Sequence, residues 1–270
     1  MRTTRTLAVL AVSAGLGTAL AVPAHAADAT VSILHAVPGA TVDVYANGDA
    51  ILEDFTPGTL TDPLTLPEGS YDLKVTAAGA GADGAAVIEA NDVAVPGGAN
   101  VTVVAHLNAS GTPVLTPFVN DTAPTKAGQA RITVRHTAAA PAVDVRANGE
   151  AAFEGLTNPN EAKADLPAGA VEADVVLAGT DTVAIGPADV DLKEGTNTIV
   201  YAWGSAADDN LELAVQTIDG LHSAPSGVPS GTGGKADTNT WQPLTLAGGA
   251  ALLAGGLAFL ATRRRQEVRA

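Results

Sequence analysis

The chain has 270 residues, a formal charge of −15, no cysteine, and 46% hydrophobic but only 3% aromatic residues. The missing cysteine excludes disulfide staples, thiolate metal sites and cysteine nucleophiles, so stability rests on packing Val, Ala, Leu and Ile. With the charged residues of the two ends set aside (Arg2, Arg5, Arg263, Arg264, Arg265, Glu267 and Arg269), 8 basic face 28 acidic side chains, a balance of −20 that repels nucleic-acid phosphates and anionic headgroups.

Arg2 and Arg5 precede an apolar run from Leu7 to Val22, closed by Pro23-Ala24-His25-Ala26. A basic start, a short apolar middle and a small-x-small exit predict a secretory signal peptide over 1–26. A first β repeat follows over 27–122. In it Val42, Val44 and Ala46 alternate with Asp43, Tyr45 and Asn47, the period-two pattern of a half-buried strand, which sends Tyr45 outward. Asn47-Gly48 then predicts a tight hairpin turn. Leu66-Pro67-Glu68-Gly69 marks a further turn, the Gly-rich run 79–84 a connection between strands, and Val101 to Ala105 another strand.

After a short joint from Ala123 to Gly128 the pattern returns over 127–221. His35 recurs as His136 and Gly48 as Gly149, both at an offset of 101, while Leu66-Pro67 recurs as Leu166-Pro167 at an offset of 100. A period of that length has the size of a complete domain rather than of a solenoid unit. Ile132 and Val134 alternate with Arg131, Thr133 and Arg135. About seven short strands per copy and no long amphipathic pattern predict an all-β protein: two tandem immunoglobulin-like antiparallel β-sandwich domains, with motion restricted by the short joint.

Residues 222–240, rich in Gly, Pro and Ser, predict a flexible stalk. Beyond it a transmembrane helix is expected over 243–262, since the uncharged run Leu244–Ala261 would span about 27 Å. Arg263-Arg264-Arg265 opens a basic tail, 263–270, which the positive-inside preference assigns to the cytoplasm. No Leu-Pro-x-Thr-Gly wall-sorting motif precedes the run. The expected place is therefore the cell membrane, single-pass with both β domains outside, or in association with the cell wall.

The stretch His35-Ala36-Val37-Pro38-Gly39-Ala40-Thr41-Val42-Asp43-Val44-Tyr45 and its return, His136 through Val143-Asp144-Val145-Arg146, resemble the opening of the bacterial family known as domain of unknown function 4397. The later Leu-Pro-x-Gly turns also fit. The resemblance covers both copies and departs at Arg146, where the pattern prefers an aromatic. It implies an exported β domain, often duplicated and surface-located, and no known activity or catalytic residue.

The repeated pairs His35/Asp43 and His136/Asp144 are the strongest candidates for chemistry. Alternation puts each histidine on the apolar face and each aspartate on the other, which predicts a histidine bonded to a backbone carbonyl and an aspartate fixing a turn. The carboxylates Asp49/Glu53/Asp54, Asp189/Asp191 and Asp208/Asp209 lack the loop spacing of a calcium cage. No catalytic, cofactor-binding or metal-binding residue is therefore assigned, and no cofactor. The expectation is a non-enzymatic surface protein for binding, adhesion or envelope scaffolding, its partner an extracellular protein or envelope component. The alternatives are a hydrolase using the repeated His/Asp positions, or a passive spacer.

Overall fold

The computed structural model describes residues 27–223. The expected signal peptide, most of the stalk, the membrane helix and the basic tail lie outside them. The first module contains β1 (Ala29–Ala36), β2 (Val42–Ala46), β3 (Asp49–Phe55), β4 (Leu64–Leu66), β5 (Gly69–Ala77), β6 (Ala86–Val95), β7 (Asn100–Leu107) and β8 (Pro113–Val119). The second repeats the series as β9 (Gln129–Ala139), β10 (Val143–Ala147), β11 (Glu150–Leu156), β12 (Glu161–Pro167), β13 (Gly169–Leu177), β14 (Val183–Leu192), β15 (Asn197–Ser205) and β16 (Glu212–Ile218). There are thus eight strands per module, one more than the sequence pattern suggests; the edge strand beside the first strand is three residues long in the first module (β4) and seven in the second (β12).

Each module is a pair of four-stranded sheets. The first combines β3-β2-β5-β6 with β4-β1-β7-β8, and the second combines β11-β10-β13-β14 with β12-β9-β15-β16. Asn47-Gly48 and Asn148-Gly149 form the β2–β3 and β10–β11 turns, with φ of 52° and 89° in one and 52° and 81° in the other. Positive φ at both central residues matches the right-handed twist of the flanking strands, and Asn-Gly accepts it at least strain.

One sheet of each module is mixed, against the antiparallel expectation, while the other is antiparallel throughout. β1 runs parallel to β7, pairing Val31 with Val101 and Ile33 with Val103, and β9 runs parallel to β15, pairing Ile132 with Thr198 and Val134 with Val200. A parallel pair needs a long crossover. Here nearly the whole module lies between the two strands, a connection that local periodicity does not reveal.

One face of the β4-β1-β7-β8 sheet packs on its own module through Val31, Ile33, Val101 and Val103. Its other face meets the second module: Leu34, Ala36, Val104 and Phe118 join Ile199, Tyr201 and Trp203 in one cluster. Strand β15 is consequently buried at every position, and the charged-looking alternation of β9 is buried on both sides. Instead of two beads on a joint, the described residues form one compact unit in which the two central sheets share a core. Both modules start at one end of this unit. There Thr125 also pairs with His222, through N–H bonds from Thr125 to Leu221 O (2.7 Å) and from Ser223 to Thr125 O (3.2 Å).

Candidate functional site

The repeated His and Asp are consumed by the fold in the same way twice. His35 Nε2 donates to the Ala40 carbonyl at 2.8 Å, and His136 Nε2 to the Pro141 carbonyl at 2.9 Å. The other ring nitrogen of each faces an incoming amide, from Val37 and Ala138 respectively, both at 3.4 Å. Each ring thereby fastens the turn between the first two strands of its module to the preceding strand. Burial pushes both imidazoles below the ordinary histidine pKa, with the carbonyl bond opposing the shift.

The aspartates hold longer-range features than the local turn expected from sequence. Asp43 accepts N–H bonds from Asp54 (3.0 Å) and Gly79 (2.8 Å), and Asp144 accepts them from Gly155 (2.7 Å) and Gly179 (2.8 Å). Asp54 and Gly155 occupy the bulged ends of β3 and β11 at φ of 51° and 63°. A bulge leaves an amide without a ladder partner, and the carboxylate supplies one. The second oxygen of each carboxylate ties the β5–β6 or β13–β14 hairpin. The Gly179 and Gly155 amides hold the Asp144 carboxyl below the usual carboxylate range. In both modules the histidine and aspartate thus serve separate backbone groups.

Tyr45 does not project into solvent. It lies on the outer face of β2 at 6% exposure, beside Lys74, whose ammonium donates to Ala82 O at 2.7 Å. At the matching cross-strand position the second module places Arg146 on Asp174, with Nε–Oδ1 at 2.8 Å, and Arg146 also reaches Asp181 at 3.3 Å. Among the described residues no three His, Asp or Glu side chains gather as metal ligands.

Two features escaped the sequence pattern. The first is a polar network sealed between the modules. Arg135, 1% exposed, donates to Tyr201 Oη (2.7 Å), Asn120 Oδ1 (2.8 Å) and Glu161 Oε2 (2.8 Å), and its guanidinium lies 4.3 Å above the Phe118 ring. Tyr201 Oη donates to Gln216 Oε1 (2.6 Å), which also receives Thr102 Oγ1 (2.9 Å). Buried polar groups in such a chain are satisfied only while both modules stay together. Burial accordingly raises the Tyr201 phenol pKa. Read alone, Arg135 is indistinguishable from a solvent-face residue; what marks the buried face is the uncharged stretch of β15 opposite it.

The second is a cleft of about 350 Å³ in the second module, bounded by Ala138, Val175, Leu177, Ile185, Ala202 and Leu211, with His136, Thr182 and Asp209 among its polar groups. It opens at the end of the module away from the Thr125–His222 bridge. A smaller apolar cavity of about 40 Å³, bounded by Val145, Ala173, Val190 and Leu213, adjoins it and shares Val175, Ile185 and Ala202 with it as walls. The matching cavity of the first module amounts to about 10 Å³.

A family model described as "Domain of unknown function (DUF4397)" matches residues 29–146. The match takes in the whole first module, the joint, and the second module as far as β10, so it includes both occurrences of the His-to-Asp stretch. No curated protein matches the chain.

Proposed function

We propose, from the premise that this chain belongs to the DUF4397 family through residues 29–146, that it is a non-enzymatic, extracytoplasmic binding or scaffold protein. Its two sandwiches are immunoglobulin-like variants standing outside a membrane anchor. The observation that carries the reading is the double use of the His/Asp pairs: each ring nitrogen and each carboxylate oxygen serves a backbone partner inside the fold. A general base or nucleophile needs a free reactive atom facing a substrate. The acidic balance supports a role in salty or crowded surroundings and disfavours polyanions as partners. Fusion of the modules by the Arg135 network supports a rigid display unit.

Protease shaving of intact cells producing the full chain tests the reading. Peptides from 27–223 are expected in the supernatant before lysis. Release only after lysis would overturn it.

A further inference from the structure

The two modules differ in how their sandwiches close. In the first, the outer strands β6 and β8 come together over the core, whereas β14 and β16 barely meet in the second. The outer hairpins slip at different places, β5–β6 between Tyr71 and Leu73 and β13–β14 between Ala173 and Val175, and the core side chains differ as well. Leu73 sits opposite Ala46 in β2, and the same place opposite Ala147 in β10 is held by Ala173. Phe55, opposite Val42, becomes Leu156, opposite Val143. Tyr71 and Val37 become Val171 and Ala138. Each exchange removes side-chain volume from the second sandwich: Ala138 lines the cleft and Ala173 the smaller cavity, while Leu156 and Val171 belong to the same core. A core that loses such volume either collapses or keeps an apolar void, and apolar voids stay dry and accept apolar guests.

We propose that the second module is a binding site for a linear aliphatic chain carrying a neutral or cationic head. Three observations select that occupant. The cleft of about 350 Å³ is backed by a cavity of about 40 Å³ lined by aliphatic side chains, with Val175, Ile185 and Ala202 as their common wall, so an occupant reaching both must be a slender, unbranched chain rather than a ring. Its size falls in the range of roughly 300–1,000 Å³ typical of small-molecule sites. At the mouth stands Asp209, with Asp208 adjacent on the β15–β16 turn and no lysine or arginine among the lining residues, so an anionic head is repelled. The His136 ring at the wall is already bonded to Pro141 O and offers no cation to such a head. Val183, 44% exposed at the rim, extends the apolar path outward. The cleft faces away from the end at which the chain leaves the module, so a bound head remains in solvent. The proposal deepens the binding role above by naming a ligand class for one module.

The test uses the full chain in a fluorinated surfactant, which does not mix with hydrocarbon, dialysed against 1-dodecanol, dodecyltrimethylammonium or dodecanoate. Saturable binding of one molecule of either of the first two is expected, with dodecanoate at least tenfold weaker. Ala173→Leu, which restores the first module's residue, should abolish binding with Tm unchanged or raised. Ala138→Val provides the same blockade from the other wall should Ala173→Leu fail to fold. Val119→Ser, on the exposed edge of the first module, should bind like the parent. The proposal is overturned by absence of saturable alkyl binding, by preference for dodecanoate, by parental affinity in a folded Ala173→Leu chain, or by self-association that Ala173→Leu abolishes, which would make the cleft an interface between copies. Shaving and dialysis fail separately: a protein released only on lysis can still bind dodecanol, and a surface protein can refuse it.

Discussion

In the first module Leu73, Tyr71 and Phe55 fill the core, β6 and β8 come together, and the sandwich shuts. In the second, Ala173, Val171 and Leu156 occupy the same places, and β14 and β16 stand apart. Strand order, the Asn-Gly turns, the bulges of β3 and β11 and the His/Asp fastenings are shared by the two, so none of these sets the difference. The outer hairpins are not alike: β5–β6 slips between Tyr71 and Leu73, and β13–β14 between Ala173 and Val175, where Gly186 lies against the Ala173 carbonyl. Whether a cavity exists is decided by a few core side chains together with the place of that slip.

The contrast is broken most severely at the seam that makes the modules one body. Arg135→Ala would strip Tyr201, Asn120 and Glu161 of their donor and leave buried oxygens unpaired, at an expected loss of about 3–5 kcal/mol. In a heating scan the parent should unfold in one transition, and the variant in two separated ones, because neither module then needs the other. A single, merely shifted transition would show that the apolar part of the seam suffices.

Exchanging the core residues sharpens the comparison next. Leu73→Ala should cost the first module about 2–4 kcal/mol by denaturant unfolding, the usual range for a buried leucine. The reverse change, Ala173→Leu, should cost less than about 1 kcal/mol or stabilise, because the space is already present. Equal penalties would mean that the second module is as tightly filled as the first.

Acid probes both modules and the seam together. His35, His136 and His106 are pushed below the ordinary histidine pKa, chiefly by burial, and His106 donates from Nδ1 to Leu107 O (2.9 Å) while its Nε2 accepts from Thr116 Oγ1 (2.8 Å). The unfolded chain therefore binds protons first, near pH 6.5, and stability falls as pH drops from 7 towards 5 by at most about 1.4 kcal/mol per pH unit for each histidine. Asp144 and Asp174, whose carboxyls are held low, act in the same direction only below about pH 4. A melting temperature flat between pH 7 and 5 would contradict the neutral, buried state of the rings. Smallest is the aspartate pair: Asp43→Ala should cost about 1–2 kcal/mol by leaving the Asp54 and Gly79 amides unpaired, and more than Asp144→Ala, whose site is more open to water.

Much of the scaffold was legible because it is local. Alternation placed β2 and β10, Asn-Gly placed their turns, and the offset of 101 placed a second module, whereas neither parallel pair has a local signature. Tyr45 was read outward correctly as to face and wrongly as to burial, since Lys74, whose side chain lies beside it, is on β5, a strand the local pattern does not place next to it. Arg135 illustrates the same limit: a charge on alternate strand positions means solvent only when nothing packs there, and what packs there is 66 residues further on at Tyr201. The cleft was hidden because the offset of 100 aligns Leu73 with Ala173 without showing what packs across the sandwich from either, and only that decides whether the lost volume stays open.

The Thr125–His222 bridge has a mechanical meaning. Its short ladder, with Leu221 N–H on Gly195 O at 2.8 Å and Thr125 N–H on Leu221 O at 2.7 Å, lies between the last strand and the point where the chain departs. Tension applied beyond Ser223 loads this clasp before it can peel β16 from its neighbour, and passes into the segment joining the modules. Pulled from beyond Ser223, the described body is thus gripped at the end where both modules start, and its opposite end bears none of the load.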